Sequence, residues 1–305
     1  MTIIEIPCDL CGSTDYSIVY PGIIPKDEID ASLFYTSSRI HAGHFPIVQC
    51  KVCSLVRSSL RDDNKKLDSI YEELYDDTYE AEAANRKRSA AAHLAWVSRF
   101  CHIPENLLDV GCSTGIFLEQ ALQAGWGVTG LEPSSWAKNL ASQRLPGTDI
   151  FCGTLQQACF PSGSFHAITL WDVLEHIPSP SDAINQLNPW LEPSGWLFLN
   201  IPNISSVPAR LMRKYWVLLL REHIWYFSPT TLQRLLEKCG FQLIATRPNQ
   251  VWFSFRNIFK RLSQYQNTEI NSLSSRRSGL SKLADFSIRF PMGEIKVAAQ
   301  KVFST

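Results

Sequence analysis

The stretch Leu107-Leu108-Asp109-Val110-Gly111-Cys112-Ser113-Thr114-Gly115 decides the fold. Its apolar opening predicts a buried strand over residues 107–110, and residues 116–124 carry apolar side chains at helical spacing. Glycines at such a strand-to-helix bend let the backbone approach a ligand closely, and the helix start offers unpaired N–H groups. A nicotinamide-binding bend would need glycines where Ser113 and Ile116 stand, and no Gly-Lys-Ser/Thr follows to make a phosphate loop. Asp109 instead offers a carboxylate at the strand end, which suits a cofactor with an ammonium group better than one with a pyrophosphate.

Working outward, strands predicted over residues 127–131, 148–151, 165–170 and 196–200 alternate with helices beginning near Thr114, Ser134 and Ser181. That alternation is the pattern of an α/β protein built on a parallel sheet. Glu132 ends the second strand in Gly130-Leu131-Glu132-Pro133-Ser134, where a carboxylate can accept bonds from both hydroxyls of a ribose. Gly153-Thr154-Leu155 follows the third strand, and Asp172-Val173-Leu174-Glu175-His176 the fourth. All four loops belong to the carboxyl edge of the sheet, where open α/β folds bind ligands, and their joint order points to S-adenosylmethionine.

This ordered set resembles the class I S-adenosylmethionine-dependent methyltransferases, in particular the branch with an N-terminal cysteine ribbon. The resemblance covers nearly the whole chain and implies a Rossmann-like sheet of seven strands, the last over residues 295–301. It implies that Asp109, Gly111 and Gly115 hold the methionine part, Glu132 the ribose, and Thr154 the adenine flank. Two positions depart from the family pattern: Ser113 stands where glycine is common, and Thr154 where an aspartate often bonds the adenine amino group. Residues 200–241 are similar to ubiquinone-type O-methyltransferases, and the ribbon also occurs among sugar methyltransferases.

Four of the nine cysteines form the pairs Cys8-Asp-Leu-Cys11 and Cys50-Lys-Val-Cys53. Two such knuckles can complete a tetrahedral S4 site for a structural Zn²⁺, with no position left open for chemistry. Gly12 follows the first pair, where φ > 0 is often needed, and Ser54 replaces it after the second. His41 and His44 lie between the pairs and are not needed as ligands. The expected organisation is a zinc-ribbon module over residues 1–60, a helical connector over 61–103, and the methyltransferase domain over 104–305.

On the acceptor side, His223 and Asp172 are the candidate catalytic residues. Methyl transfer is an in-line displacement, so alignment dominates and a base helps a weak nucleophile such as a hydroxyl. Trp225, Tyr226 and Phe227 beside His223 are expected to shape an acceptor pocket. From Arg247 to Thr305 ten Lys or Arg residues face three acids, and Arg210, Arg213, Lys214 and Arg221 add a basic stretch. These charges could attract a phosphate-bearing acceptor or an anionic membrane surface. The Ser/Asn-rich residues 264–282 are read as a mobile loop.

The balance of 29 basic against 29 acidic residues removes the simplest argument for a nucleic-acid binder. RNA docking through the ribbon, which is poor in basic residues, remains only a distant alternative. No signal-like start and no run long enough to span a bilayer are present, so a cytoplasmic location with reduced thiols is expected. The first-choice reading is O-methylation of a sugar or secondary metabolite. A quinone-like or lipid-linked acceptor, suggested by residues 215–220, is the alternative.

Overall fold

The computed structural model describes residues 3–23, 43–64, 67, 69, 72, 83–254 and 287–302. The expected loop at 264–282, the connector between Asn64 and Ala83 apart from Leu67, Ser69 and Glu72, and His41 lie outside the described residues. Seven strands form the central sheet: β1 (Asn106–Val110), β2 (Gly127–Glu132), β3 (Ile150–Cys152), β4 (Phe165–Trp171), β5 (Leu191–Pro202), β6 (Phe241–Pro248) and β7 (Glu294–Lys301). Their order is β6-β7-β5-β4-β1-β2-β3. Strands β1 to β5 pair in parallel, whereas β7 runs antiparallel between β5 and β6. The order reverses between β1 and β4, and a reversal of this kind opens a ligand crevice at the carboxyl edge.

Helices α1 (Ala83–Val97), α2 (Ile116–Gln123), α3 (Ser135–Arg144), α4 (Pro180–Trp190), α5 (Val207–Met212) and α6 (Pro229–Lys238) complete the domain. Side chains alternate across a strand with period two, and the core obeys that rule. Leu108, Ile168, Leu197 and Leu199 point to the apolar layer built with α4 and α6. Their neighbours Leu107, Ala167 and Phe198 point to the layer built with α1 and α2. Both faces are covered, so the strands read as continuous apolar runs.

Two strands differ from the sequence reading. β5 begins at Leu191 because a register shift between Leu191 and Trp196, with Ser194 at φ 61°, inserts extra residues before the regular pairing. β6 supplies the seventh strand that the family resemblance implied without locating. It is an edge strand whose outer residues stay exposed, which leaves little apolar periodicity to read.

The N-terminal segment forms an antiparallel sheet of Tyr16–Tyr20, Ile47–Cys50 and Val56–Ser58. Its fourth strand, Trp225–Tyr226, comes from the loop that carries His223, with Trp225 opposite Arg57 and Tyr226 opposite Val56. Ile6, Cys8, Cys50, Cys53 and Leu55 lie in the same apolar cluster as the central sheet. Asp9 meets the start of α4, accepting from Ser179 Oγ at 2.8 Å and Ser181 N at 3.0 Å. A carboxylate there satisfies orphan N–H groups and complements the helix dipole.

Candidate active site at the carboxyl edge of the sheet

The bend after β1 places Gly111 at φ 74°, Ser113 at φ 50° and Gly115 at φ 77°. A Cβ on Gly111 would come within 2.6 Å of Val173 Cγ2. One on Gly115 would press at 3.1–3.3 Å on Leu145 and Ala141, so this glycine serves the contact with α3 and its C-terminal flank. Glu132 Oε2 accepts from Ser113 N at 2.8 Å, and Oε1 accepts from Ser134 N at 2.9 Å. The first bond shows how serine occupies a left-handed position usually given to glycine: its N–H is tied to a buried carboxylate. Two lone-pair positions remain on Glu132 for ribose hydroxyls.

Burial lifts the Glu132 carboxyl from 4.5 to about 7, against the lowering effect of the Ser134 and Ser113 N–H bonds. Asp109 is buried as well and accepts from Thr169 Oγ1 at 2.6 Å. Its carboxyl is pushed up to about 8, chiefly by burial and further by the Glu132 charge, while the Thr169 bond opposes the rise. A cationic amino group at this strand end would favour the ionised form of both acids. At the rim, Thr154 N donates to Gln157 Oε1 at 2.7 Å, so Gln157 folds back over the loop. That residue was not read from the sequence.

Across the switch point, Asp172 leaves β4 at φ 59°, a strained value for a residue with a Cβ. Its N–H donates to Asn200 O at 3.0 Å. Asn200 Nδ2 bridges the Asp172 and Glu294 carboxyls, and Asn249 Nδ2 donates to Glu294 at 2.8 Å. Asp172 keeps exposed surface at the carboxyl edge. Desolvation by the surrounding protein and the Glu294 charge push its carboxyl well above the usual range. Trp171 Nε1 and Asn200 Oδ1 have no hydrogen-bond partner among the described residues. They sit opposite one another in the β4–β5 register.

The turn Leu174–His176 follows. His176 Nδ1 donates to Glu222 O at 3.1 Å and His223 Nδ1 donates to Leu218 O at 2.9 Å. A carbonyl only accepts, so in both rings the proton sits on Nδ1. The rings meet edge to face at 4.7 Å. Burial lowers the His176 imidazolium to about 4, with the Glu222 carbonyl opposing. Burial and the neighbouring His176 hold His223 well below the ordinary range. Trp225, Tyr226 and Phe227 are fully buried. Trp225 Nε1 donates to Ile177 O at 2.9 Å. These aromatics pack the loop against the turn and the ribbon rather than line an open pocket, which differs from the expectation.

In the ribbon, Cys8 Sγ lies 3.3 Å from Cys53 Sγ, and Cys11 Sγ 3.5 Å from Cys50 Sγ. All four sulfurs fall within 4.8 Å of one another. Zn–S bonds of about 2.3 Å put tetrahedral sulfurs ~3.8 Å apart, so the set fits a zinc ion. Backbone N–H groups of Cys53 and Val52 offset the burial of Cys50 and leave its thiol at about 7. Ser54 takes φ 66°, close to the 74° of Gly12, so both knuckles turn alike despite the different residue. His44 bonds Phe45 O and lies outside this cluster. Arg221, counted in the basic stretch, is committed to Asp62 instead.

A family described as a methyltransferase domain matches residues 68–246, more than half of the chain. A ubiquinone biosynthesis O-methyltransferase of Burkholderia pseudomallei is 23% identical over 199 residues, covering 61% of this chain and 84% of that protein. A protein of the same name from Albidiferax ferrireducens is 30% identical over 121 residues, covering 37% of this chain and 47% of that one. Among solved structures, a chain from the complex of the Haloferax volcanii Trm112 methyltransferase activator with a methyltransferase shares the fold. Its TM-score is 0.50 at 12% identity, covering 75% of this chain and all of that one. Among the described residues no helix is long and apolar enough to cross a membrane.

Proposed function

We propose, for a chain that belongs to the methyltransferase-domain family and takes its methyl group from S-adenosylmethionine, that the acceptor is a hydroxyl of a small polar molecule, a sugar or other secondary metabolite. The observation that carries this reading is the polar floor beside the switch point. Asp172, Asn200 and Glu294 lie there in one hydrogen-bonded set, and the exposed Asp172 carboxyl can bond a hydroxyl of a polyhydroxyl acceptor.

The cofactor is assigned to Asp109, Gly111, Gly115, Glu132 and Thr154, which would hold it and let it supply the methyl group at the carboxyl edge of the sheet. Asp172 and His223 are assigned to the acceptor, which they orient for attack. Attack forms the O–CH₃ bond as the S–CH₃ bond breaks; S-adenosylhomocysteine leaves, and the hydroxyl proton passes to solvent. Cys8, Cys11, Cys50 and Cys53 would hold a structural zinc ion that braces the ribbon and takes no part in the displacement. The exposed Arg210, Arg213 and Lys214 favour an acceptor that bears phosphate.

A quinone-like acceptor is the second reading. It is supported by the ubiquinone O-methyltransferase relatives and by the exposed Leu211 and Tyr215. Incubation with isotopically labelled S-adenosylmethionine and fractionated metabolites, read by mass spectrometry, tests both. Label in polar, phosphate-bearing fractions supports the first reading, and label confined to lipid extracts overturns it.

A further inference from the structure

The strands Val251–Ser254 and Ser287–Phe290 pair antiparallel and continue β6 and β7 past the carboxyl edge of the sheet, where Pro248 faces Ile295 and Pro202 faces Glu294. In this hairpin Trp252 stands opposite Arg289. Arg289 and Arg88 of α1 both lie over the Trp252 ring, at 6.0 and 5.2 Å from its centroid. Arg247 stands opposite Lys296 across β6 and β7. We infer that Arg88, Arg247 and Arg289, with Lys296 beneath them, form the site that binds the phosphate of the acceptor. This inference rests on the reading of the acceptor as a small hydroxyl compound.

Residues directly opposite in neighbouring strands point to the same face, so Arg247 shares the face of Lys296. Lys296 Nζ donates to Ala92 O at 2.7 Å, and Arg88 lies one helical turn before Ala92, which brings the cation of α1 to the same side. Arg88, Arg247 and Arg289 are exposed, whereas Lys296 is buried. None of the four forms an ion pair with a carboxylate among the described residues. Burial, with the Arg289 and Arg247 charges adding to it, lowers the Lys296 ammonium to about 8 against the pull of Asp172 and Glu294. Solvated surface cations keep apart, yet two of these share one indole and a third lies beside a buried lysine. Such a gathering of one sign attracts an anion. A guanidinium held by its face over a ring keeps its N–H edge for two parallel bonds to phosphate.

The register also bounds the acceptor's size. Lys296 faces Asn200 on β5, Asn200 faces Trp171 on β4, and Asn200 Nδ2 holds Asp172. Neighbouring strands lie about 4.8 Å apart, so β7 and β4 are separated by about 10 Å. A hydroxyl on Asp172 and a phosphate at the arginines then belong to one molecule of that length, a phosphorylated or nucleotide-linked sugar.

The test uses the full chain saturated with S-adenosylhomocysteine and titrated calorimetrically with inorganic pyrophosphate at constant ionic strength. Wild type should bind one equivalent. Arg247→Ala and Arg289→Ala should each weaken binding roughly tenfold, and Arg289→Lys should recover only part because the two-pronged edge is lost. Arg99→Ala, beyond the far end of α1, should change nothing. S-adenosylhomocysteine affinity should hold in every variant, which shows that each one folds. Wild type that binds no pyrophosphate, or arginine variants that bind it unchanged, overturns the site. Association with phosphatidylglycerol vesicles and none with pyrophosphate also overturns it, since the phosphate recognised would be a lipid headgroup. Pyrophosphate binding that falls in the variants of a protein that methylates no hydroxyl compound would keep the site and overturn the hydroxyl reading instead.

Discussion

Arg221 grips Asp62 through a two-pronged ion pair, Nε to Oδ2 at 3.1 Å and Nη2 to Oδ1 at 2.9 Å, with both side chains buried. The guanidinium also lies over the Phe45 ring at 4.7 Å. The same joint is closed by Ser58 N donating to Ile224 O at 2.7 Å and by the pairing of Trp225–Tyr226 with the ribbon sheet. The ribbon and the loop that delivers His223 therefore share one sheet and one buried ion pair. The cofactor cradle at β1 and β2 lies beyond the switch point.

Removing one partner of a buried pair leaves the other charged and unsolvated. Arg221→Ala should lower stability by about 3–5 kcal/mol, and Arg221→Lys should recover little because the fork is lost. Denaturant unfolding checks this. The double change Asp62→Leu with Arg221→Met should regain most of the loss, because it removes both charges.

Glu132→Ala removes an acceptor for ribose hydroxyls and frees the N–H groups of Ser113 and Ser134. The expected cost is about 1.5–3 kcal/mol per charged bond, or roughly tenfold or more in affinity. Calorimetry with S-adenosylhomocysteine measures it, and Glu132→Gln should fall between wild type and Ala. Unchanged affinity in the Ala variant would remove the ribose assignment.

The same two acids predict a pH dependence. Without ligand, Glu132 is raised to about 7 and Asp109 to about 8, so both hold protons as pH falls below those values. Cofactor binding favours the ionised forms and releases protons, so affinity should fall as pH is lowered from 8 to 6. Binding heats compared in buffers of different ionisation enthalpy count the protons released. Glu132→Gln should release fewer.

The bend and the strand end to which the cofactor is assigned were legible because they lie in one contiguous stretch and in the residues ending the next strand. Asp109, Gly111 and Glu132 are local features, and strand-to-helix bends have few solutions. The acceptor half was not, because Glu294, Asn200 and Asn249 reach Asp172 from separate strands and loops. The repeated Glu-His dipeptide was the one signal that could have joined His176 to His223. Trp225–Tyr226 read as pocket aromatics because nothing in two residues reveals that they extend the ribbon sheet. Ser54 shows the reverse case: a residue that departs from the knuckle pattern while its backbone keeps the turn.

If the four cysteines hold zinc, purified protein should carry close to one equivalent in them, and Cys50→Ser should lose it. The effect should travel through the shared sheet. Hydrogen exchange should quicken at residues 47–58 and 221–227, while residues 107–115 stay protected and S-adenosylhomocysteine still binds. Elemental analysis that finds no zinc in protein prepared without chelator counts against the ribbon.

His223 should matter for methyl transfer and little for cofactor binding, because it lies with His176 on the β4 side of the switch point and touches none of the cradle residues named above. His223→Ala should lower the single-turnover rate by roughly 10² through lost alignment, with S-adenosylhomocysteine affinity nearly unchanged. The pH profile decides what the ring does. Burial keeps the imidazole neutral, since its charged form is disfavoured well below the ordinary value. A neutral ring that orients the acceptor adds no ionisation near 6.5 to the rate, and at saturating cofactor the wild-type profile should show none there. A ring that stores the hydroxyl proton would make the rate rise through that range, and the rise would vanish in His223→Asn. Asn can keep the bond to Leu218 O but has no unprotonated ring nitrogen to offer. An Asn variant with wild-type rate at every pH would show that His223 only braces its loop, while a slow variant with a flat profile would show that the lone pair on Nε2 is what the reaction uses.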